Sequence, residues 1–403
     1  MLKRLRVDNF KSLINVVFEP DHVNLLTGRN NSGKTTLCQA INFLRLSTYH
    51  PIAEAAKIAT NDIWNLTNAY FKKDTITYEC DCDLLLENEL YRYSYHLNIR
   101  ANPQLVIGVS GRECSVEEES LSVSGGKFET ETLLLENLNG NIRLLNEGKF
   151  FNNENNVYLE TSAATDTTML NRLYDVQHNK YANAFKKYVA SWLYYDFDPA
   201  SLRSNEANSS GLILNQDGSN LSYVLFKLKN YDERRYRAFV DIIQDIEPKL
   251  EALNFIPPTQ ESVLMSLTDY QNNRFNVWSS SNGTLRFMAM VYVILMSTST
   301  TEISMSPPPL VIIEEPENGV YVGHLKRLME LLGSSKDAKD YPQFIFSSHS
   351  PYFIDLFDRY LGGVFVMKSD KTHSEVIKPD STRLESILQD FELGEAHFRE
   401  LIG

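Results

Sequence analysis

Eight consecutive residues, Gly28-Arg29-Asn30-Asn31-Ser32-Gly33-Lys34-Thr35, have the spacing G-x-x-x-x-G-K-[ST]. In that pattern the two glycines, Gly28 and Gly33, let the backbone wrap a phosphate with its N–H groups turned inward. The helix N-terminus that follows adds a favourable field for anions. Lys34 is placed to reach the β- and γ-phosphates, and Thr35 to hold Mg²⁺. Asn30, Asn31, Ser32 and Thr36 complete the set expected to touch nucleotide. A second chemical signature is the apolar run Leu310-Val311-Ile312-Ile313, which ends in Glu314-Glu315. Paired acids at a strand end can divide two tasks: Glu314 faces the metal and Glu315 polarises the attacking water. A third is Gln343-Phe344-Ile345-Phe346-Ser347-Ser348-His349, an apolar strand ending in a histidine. That ring either contacts the γ-phosphate and the attacking water or is a structural histidine. A fourth is Ser281-Asn282-Gly283-Thr284, small residues opening a helix, again an anion-binding geometry.

The surrounding patterns supply the elements to hold these groups. Val23-Asn24-Leu25-Leu26 reads as a buried strand. Thr36 to Leu44 reads as a helix with Leu37, Ala40, Ile41 and Leu44 on one face, the strand–loop–helix context that the phosphate loop needs. Leu2 to Phe10 alternates as a half-buried strand, and Asn15 to Phe18 forms another. Residues 74–124 alternate with period two, most clearly in 75–84 and 91–99, and predict an antiparallel meander that also takes in Leu105–Val109 and Cys114–Val123. The stripe Tyr91, Tyr93, Tyr95 reads as a packed strand face, the alternative being a base-stacking platform. Residues 125–168, rich in Asn, Glu and Gly, predict hairpins and loops. Three- and four-residue apolar steps then predict helices over 170–192, 221–228 and 236–246, followed by strands within 250–278 and a nearly all-apolar helix over 285–297. The expected organisation is a nucleotide-binding lobe with the meander over 1–165, a helical lobe over 166–300, and the acid and histidine strands over 301–403.

Composition narrows the class. Of the 403 residues, 43% are hydrophobic, enough for a sizeable core, and the formal net charge of −13 argues against an all-over basic nucleic-acid surface. Basic clusters at Lys186-Lys187, at Lys227 and Lys229, and at Arg234, Arg235 and Arg237 leave room for a local patch, or are solvated helix faces. The four cysteines, Cys38, Cys80, Cys82 and Cys114, lack metal-ligand spacing and suit a reducing compartment. The N-terminus lacks the apolar stretch of a signal peptide, and the longest apolar run is too short to span a bilayer. A cytoplasmic location with no membrane contact is expected. A P-loop GTPase is disfavoured because no Asn-Lys-x-Asp or Thr-Lys-x-Asp is present.

In order, the motifs are 28–35, Ser281-x-Gly283-Thr284, Ile313-Glu-Glu-Pro-Glu-Asn-Gly319 and Ser347-Ser-His-Ser-Pro351. Together with Val7-Asp8-Asn9-Phe10-Lys11-Ser12-Leu13 and Asp217-Gly218-Ser219-Asn220-Leu221, this set resembles the RecF/SMC-like branch of ABC ATPases. The likeness is closest to stand-alone ATPases related to the OLD and RloA families. The resemblance implies an α/β fold of the ABC type, with a mixed sheet, an antiparallel β subdomain and an inserted helical lobe. By position it implies that Gly28, Asn31, Gly33, Lys34 and Thr35 bind phosphate and that Lys11 touches nucleotide. Ser281 and Gly283 would face the γ-phosphate on a partner subunit. Glu315 would be the catalytic base, Glu317 to Gly319 the dimer-contacting loop, and His349 the switch histidine. Glu314 departs from the aspartate common at its position, and its extra methylene points to slow turnover. Asn282 stands where relatives often have an acid or a glycine. Gln104 is the candidate for a further glutamine of the family pattern. Neither a TOPRIM nuclease nor long coiled-coil arms can be recognised.

The resemblance therefore implies an ATP- and Mg²⁺-dependent switch ATPase. It would dimerise head to tail, as a homodimer or higher homo-oligomer, and control a separate effector such as a nuclease or toxin in bacterial antiphage defence. The competing expectation is a RecF-like repair ATPase that binds DNA directly. A transporter nucleotide-binding subunit fits the long meander poorly.

Overall fold

The structure, a computed structural model, describes residues 1–61, 65–71, 73–101, 114–174, 178–205, 211–259, 262–298, 310–334 and 342–402. The candidate glutamine Gln104 and the expected strand Leu105–Val109 lie outside these residues. The chain divides into two compact units. The first comprises Met1–Trp192, Gly362–Arg383 and Ile402–Gly403, and the second Leu193–Leu361 and Leu384–Leu401.

The first unit is built around an eight-stranded antiparallel sheet. Its spatial order is Val16–Phe18, Leu2–Asp8, Thr75–Leu86, Glu89–Ala101, Cys114–Gly125, Phe128–Leu138, Asn141–Leu145 and Tyr158–Ser162. Period-two alternation fixes which face each strand buries. In Glu89–Ala101 the residues Tyr91, Tyr93, Tyr95, Leu97 and Ile99 are all within 2% of full burial. The tyrosine stripe is thus a packed face: Tyr93 and Tyr95 lie 5.6 and 5.3 Å from the Phe185 ring, on the helix Lys180–Ala190. The Asn/Glu-rich stretch supplies the last three strands, joined by hairpins such as Asn139-Gly140, where φ is positive at both residues.

The helix Lys34–Ser47 buries Leu37, Ala40, Ile41 and Leu44, the expected face. Phe43 on the same helix meets Phe10 and Tyr78, with ring centroids 5.8 Å away in each case. This aromatic cluster pins the helix to the sheet. The strand Val23–Thr27, buried at every position, runs parallel to Val364–Ser369, which pairs antiparallel with Ser374–Ile377. A hairpin from far along the sequence therefore flanks the strand that leads into the phosphate loop.

The second unit contains three parallel strands: Leu193–Tyr195, Leu310–Glu314 and Gln343–Ser348. The latter two are buried throughout, as continuous apolar runs in a parallel sheet must be. Around them are the helices Leu221–Tyr231, Glu233–Ile246, Asn282–Thr298 and Val322–Ser334, and an antiparallel sheet of Leu250–Thr259, Ser262–Asp269 and Arg274–Asn276. In Asn282–Thr298 every residue from Phe287 to Ile294 is buried, which accounts for its all-round apolar character.

Candidate functional site

In the first unit the loop 28–33 joins the buried strand Val23–Thr27 to the helix Lys34–Ser47. Gly28 and Gly33 have φ of +151° and +100°, and Asn31, a residue tolerant of the left-handed region, has φ +62°. A side chain has no room at either glycine. A Cβ on Gly28 would lie 2.3 Å from the Met367 carbonyl oxygen, and one on Gly33 would lie 2.5 Å from Ser374 Oγ. The helix has no side-chain cap at Gly33 and no acid in its first turn, so its leading N–H groups remain suited to an anion. Ser32 Oγ is buried without a hydrogen-bond partner, and Lys34, 6% exposed, turns its Nζ onto the carbonyls of Gly28 and Arg29 at 2.8 and 3.0 Å. An unmatched hydroxyl and an inward ammonium within a cradle that a Cβ would fill are what a phosphate group requires. Asn30, Asn31 and Thr35 are exposed and Thr36 half-buried. Lys11, at φ +50°, donates from Nζ to Gln39 Oε1 at 3.0 Å, and its backbone N–H is tied to the Leu66 carbonyl.

In the second unit the ends of two parallel strands bring Glu314, Glu315, Glu317 and His349 together. The register places Glu314 beside Ser347. Glu314 is 5% exposed, and its Oε1 accepts from the Tyr194 hydroxyl at 2.6 Å. Glu315 leaves the strand with φ +42°, an uncommon conformation for a residue with a side chain, costing of order 1–3 kcal/mol. Its backbone is locked there: the N–H donates to the Ser347 carbonyl at 2.9 Å, and the carbonyl accepts from Asn318 N–H and from Arg286 Nη1. Asn318 also donates its side-chain amide to Glu315 Oε2. His349 Nδ1 lies 3.6 Å from Glu315 Oε1 and 3.8 Å from Glu317 Oε1. Glu315 and His349 are both partly open to solvent, so an exposed acid and imidazole stand side by side with their backbones fixed. That pairing suits proton handling at a water molecule.

The third group, Ser281 and Gly283, opens the helix Asn282–Thr298. Ser281 Oγ accepts from Thr284 N–H at 3.0 Å, an N-cap interaction that leaves the serine exposed. Gly283 is buried against the turn after the acids, where a Cβ would lie 2.1 Å from the Gly319 carbonyl oxygen. Arg286, one turn on, donates to the Phe197 carbonyl at 2.5 Å as well as to Glu315. The serine-led helix and the acid-bearing turn are therefore packed backbone to backbone.

Sequence reasoning passed over Tyr194, Arg286 and the intrachain roles of Glu317 and Asn318. Glu317 accepts from Ser348 Oγ within its own chain. Tyr194 has no local signal, since its partner is 120 positions away. Several cations of the candidate basic patches are engaged by the fold. Lys186 Nζ donates to the Asn171 and Leu173 carbonyls, with burial lowering its pKa, and Arg235 is 8% exposed beside Asp232. Cys80 and Cys82 share a strand face with sulfurs 3.6 Å apart, and all four cysteines are buried thiols. Among the described residues, no helix is long and apolar enough to cross a membrane.

The fold is the mixed α/β fold of SMC head domains, the ABC-type ATPase class. The chain is similar to an SMC head bound to the C-terminal winged-helix domain of ScpA. Identity is 13%, the TM-score is 0.56, and 95% of this chain and 99% of that chain are covered. It is also similar to the SMC head with an extended coiled coil bound to the C-terminal domain of ScpA from Pyrococcus furiosus, at 12% identity and TM-score 0.51, covering 96% and 98%. At such identities the likeness is one of fold. Residues 1–354 match the model of the AAA ATPase domain, and the chain belongs to that family. Among curated proteins none matches.

Proposed function

We propose that this protein is an ATP-binding and hydrolysing switch. Two copies clamp ATP head to tail, and the closed and open states control a separate effector, as in the antiphage systems of the stand-alone ATPases it resembles. The observation that carries this reading is the packing of Gly283 against Gly319. It couples the exposed Ser281 end of one helix to the turn that bears Glu315, so occupancy at the helix end biases the base. Gly28, Asn30, Asn31, Ser32, Gly33, Lys34, Thr35 and Thr36 bind the triphosphate, and Lys11 supports them. Ser281 and Gly283 address the nucleotide of the partner copy. Glu315 accepts the proton of the attacking water, and His349 orients that water or the γ-phosphate. Thr35 and Glu314 would hold Mg²⁺, which would supply charge neutralisation at the phosphates. Nucleotide acts as a switch because it binds the closed state more tightly than the open one.

Glu315→Gln should bind ATP, lose turnover and accumulate as a dimer on size exclusion with light scattering when ATP and Mg²⁺ are present. Undiminished turnover in that variant would show that the base is misassigned. A dimer that forms equally without ATP would remove the switch.

A further inference from the structure

We infer that Glu317 is a positioning residue for His349. The inference rests on the proposed role of His349 and adds the group that holds it in place. Glu317 lies two residues after the proposed base, in the turn joining the strand Leu310–Glu314 to the helix Val322–Ser334. Its Oε1 gathers three donors from the turn after the neighbouring strand: Ser348 Oγ at 2.5 Å, the His349 N–H at 3.2 Å and the Ser350 N–H at 3.3 Å. Ser348 Oγ in turn accepts from the Ser350 N–H at 3.0 Å, closing the ring of bonds. Hydrogen bonds to a charged acceptor are stronger than those between neutral groups. Two of these three fix the main chain of His349 and of the next residue, so they set the direction in which the imidazole leaves the backbone.

The exposures separate the roles. The Glu317 side chain is 9% exposed, whereas those of Glu315 and His349 are 36% and 44% exposed. Glu317 is therefore enclosed by its own chain, and the imidazole it anchors is presented to solvent between two carboxylates. Glu317 Oε2 is buried and makes no hydrogen bond. A half-matched buried carboxylate is costly, and a neutral residue would avoid that cost.

The test uses the full chain and the variants Glu317→Ala, Glu317→Gln, His349→Ala and the Glu317→Ala/His349→Ala double variant. Turnover of ATP is measured alongside the histidine ring resonances of the labelled protein, with His349 assigned from its loss in His349→Ala. Glu317→Ala should lower kcat by about tenfold to a hundredfold, the penalty of a misplaced group, with KM little changed. Glu317→Gln, which keeps a carbonyl oxygen for the three donors, should restore most of the rate. In the His349→Ala background the Glu317→Ala change should cost nothing further. The His349 ring resonance should move and broaden in Glu317→Ala and return in Glu317→Gln. A resonance unmoved in Glu317→Ala, or an equal rate loss with and without His349, would overturn the inference. Should His349→Ala turn over as fast as the parent protein, the proposed role of His349 fails, and the ring resonance alone decides whether Glu317 holds it.

Discussion

Glu147 shows how a single buried group can make this fold respond to pH. It is 5% exposed and accepts the Tyr181 N–H at 2.9 Å, at the start of the helix Lys180–Ala190. Burial pushes its pKa from 4.5 up to about 7, against the pull of the backbone N–H groups. Because the folded protein holds this proton more tightly than the unfolded chain, the stabilisation is complete below about pH 4.5. It is lost as pH rises through about 7. Glu147→Gln, which stays neutral, should therefore gain stability over the parent protein from pH 5 to pH 8, by on the order of 2 kcal/mol. Thermal melts of both proteins across that range provide the check, and parallel curves would refute it. The same balance of burial against hydrogen bonding governs Glu119. It is fully buried, its pKa is raised by desolvation, and it accepts from Tyr95, Met169 and Leu170.

At the scale of elements, the decisive contact is the one between Gly283 and the Gly319 carbonyl. Alanine is the better helix former by about 1 kcal/mol, so propensity alone would make Gly283→Ala stabilising. The added methyl instead meets backbone, which cannot rotate away, and overpacking of this kind costs about 1–3 kcal/mol. Gly283→Ala should thus lower the melting temperature and reduce ATP turnover together. A more stable variant would show that the two segments are not in register as described. How much of this was legible in the sequence follows from locality. The phosphate loop is eight consecutive residues between a strand and a helix, and the buried strands Leu310–Glu314 and Gln343–Ser348 are continuous apolar runs. Each carries its signal within a short window. The eight-stranded sheet was partly legible, because alternation gives the strands but not how far pairing extends through the Asn-rich hairpins. The locks on the acids were not legible. Glu317 meets Ser348 31 positions away, and Tyr194 meets Glu314 120 positions away. No period or spacing encodes such pairs.

At the scale of the whole molecule, the first unit is assembled from distant parts of the chain. Met1–Trp192 is completed by Gly362–Arg383, whose two strands carry Met367 and Ser374 against the two loop glycines. Ser374 also ties the hairpin to Ser12: its Oγ donates to Ser12 Oγ at 2.9 Å and its N–H donates to the Ser12 carbonyl at 2.7 Å. Ending the chain at Leu361 should therefore abolish binding of a fluorescent ATP analogue even though residues 28–35 are intact. Retained affinity in that truncated protein would show that the hairpin is dispensable. The arrangement also sets an order of events during synthesis. At about 5–20 residues per second, the ribosome exposes the phosphate loop on the order of tens of seconds before the hairpin emerges. Throughout that interval the nascent loop lacks the hairpin that backs its two glycines.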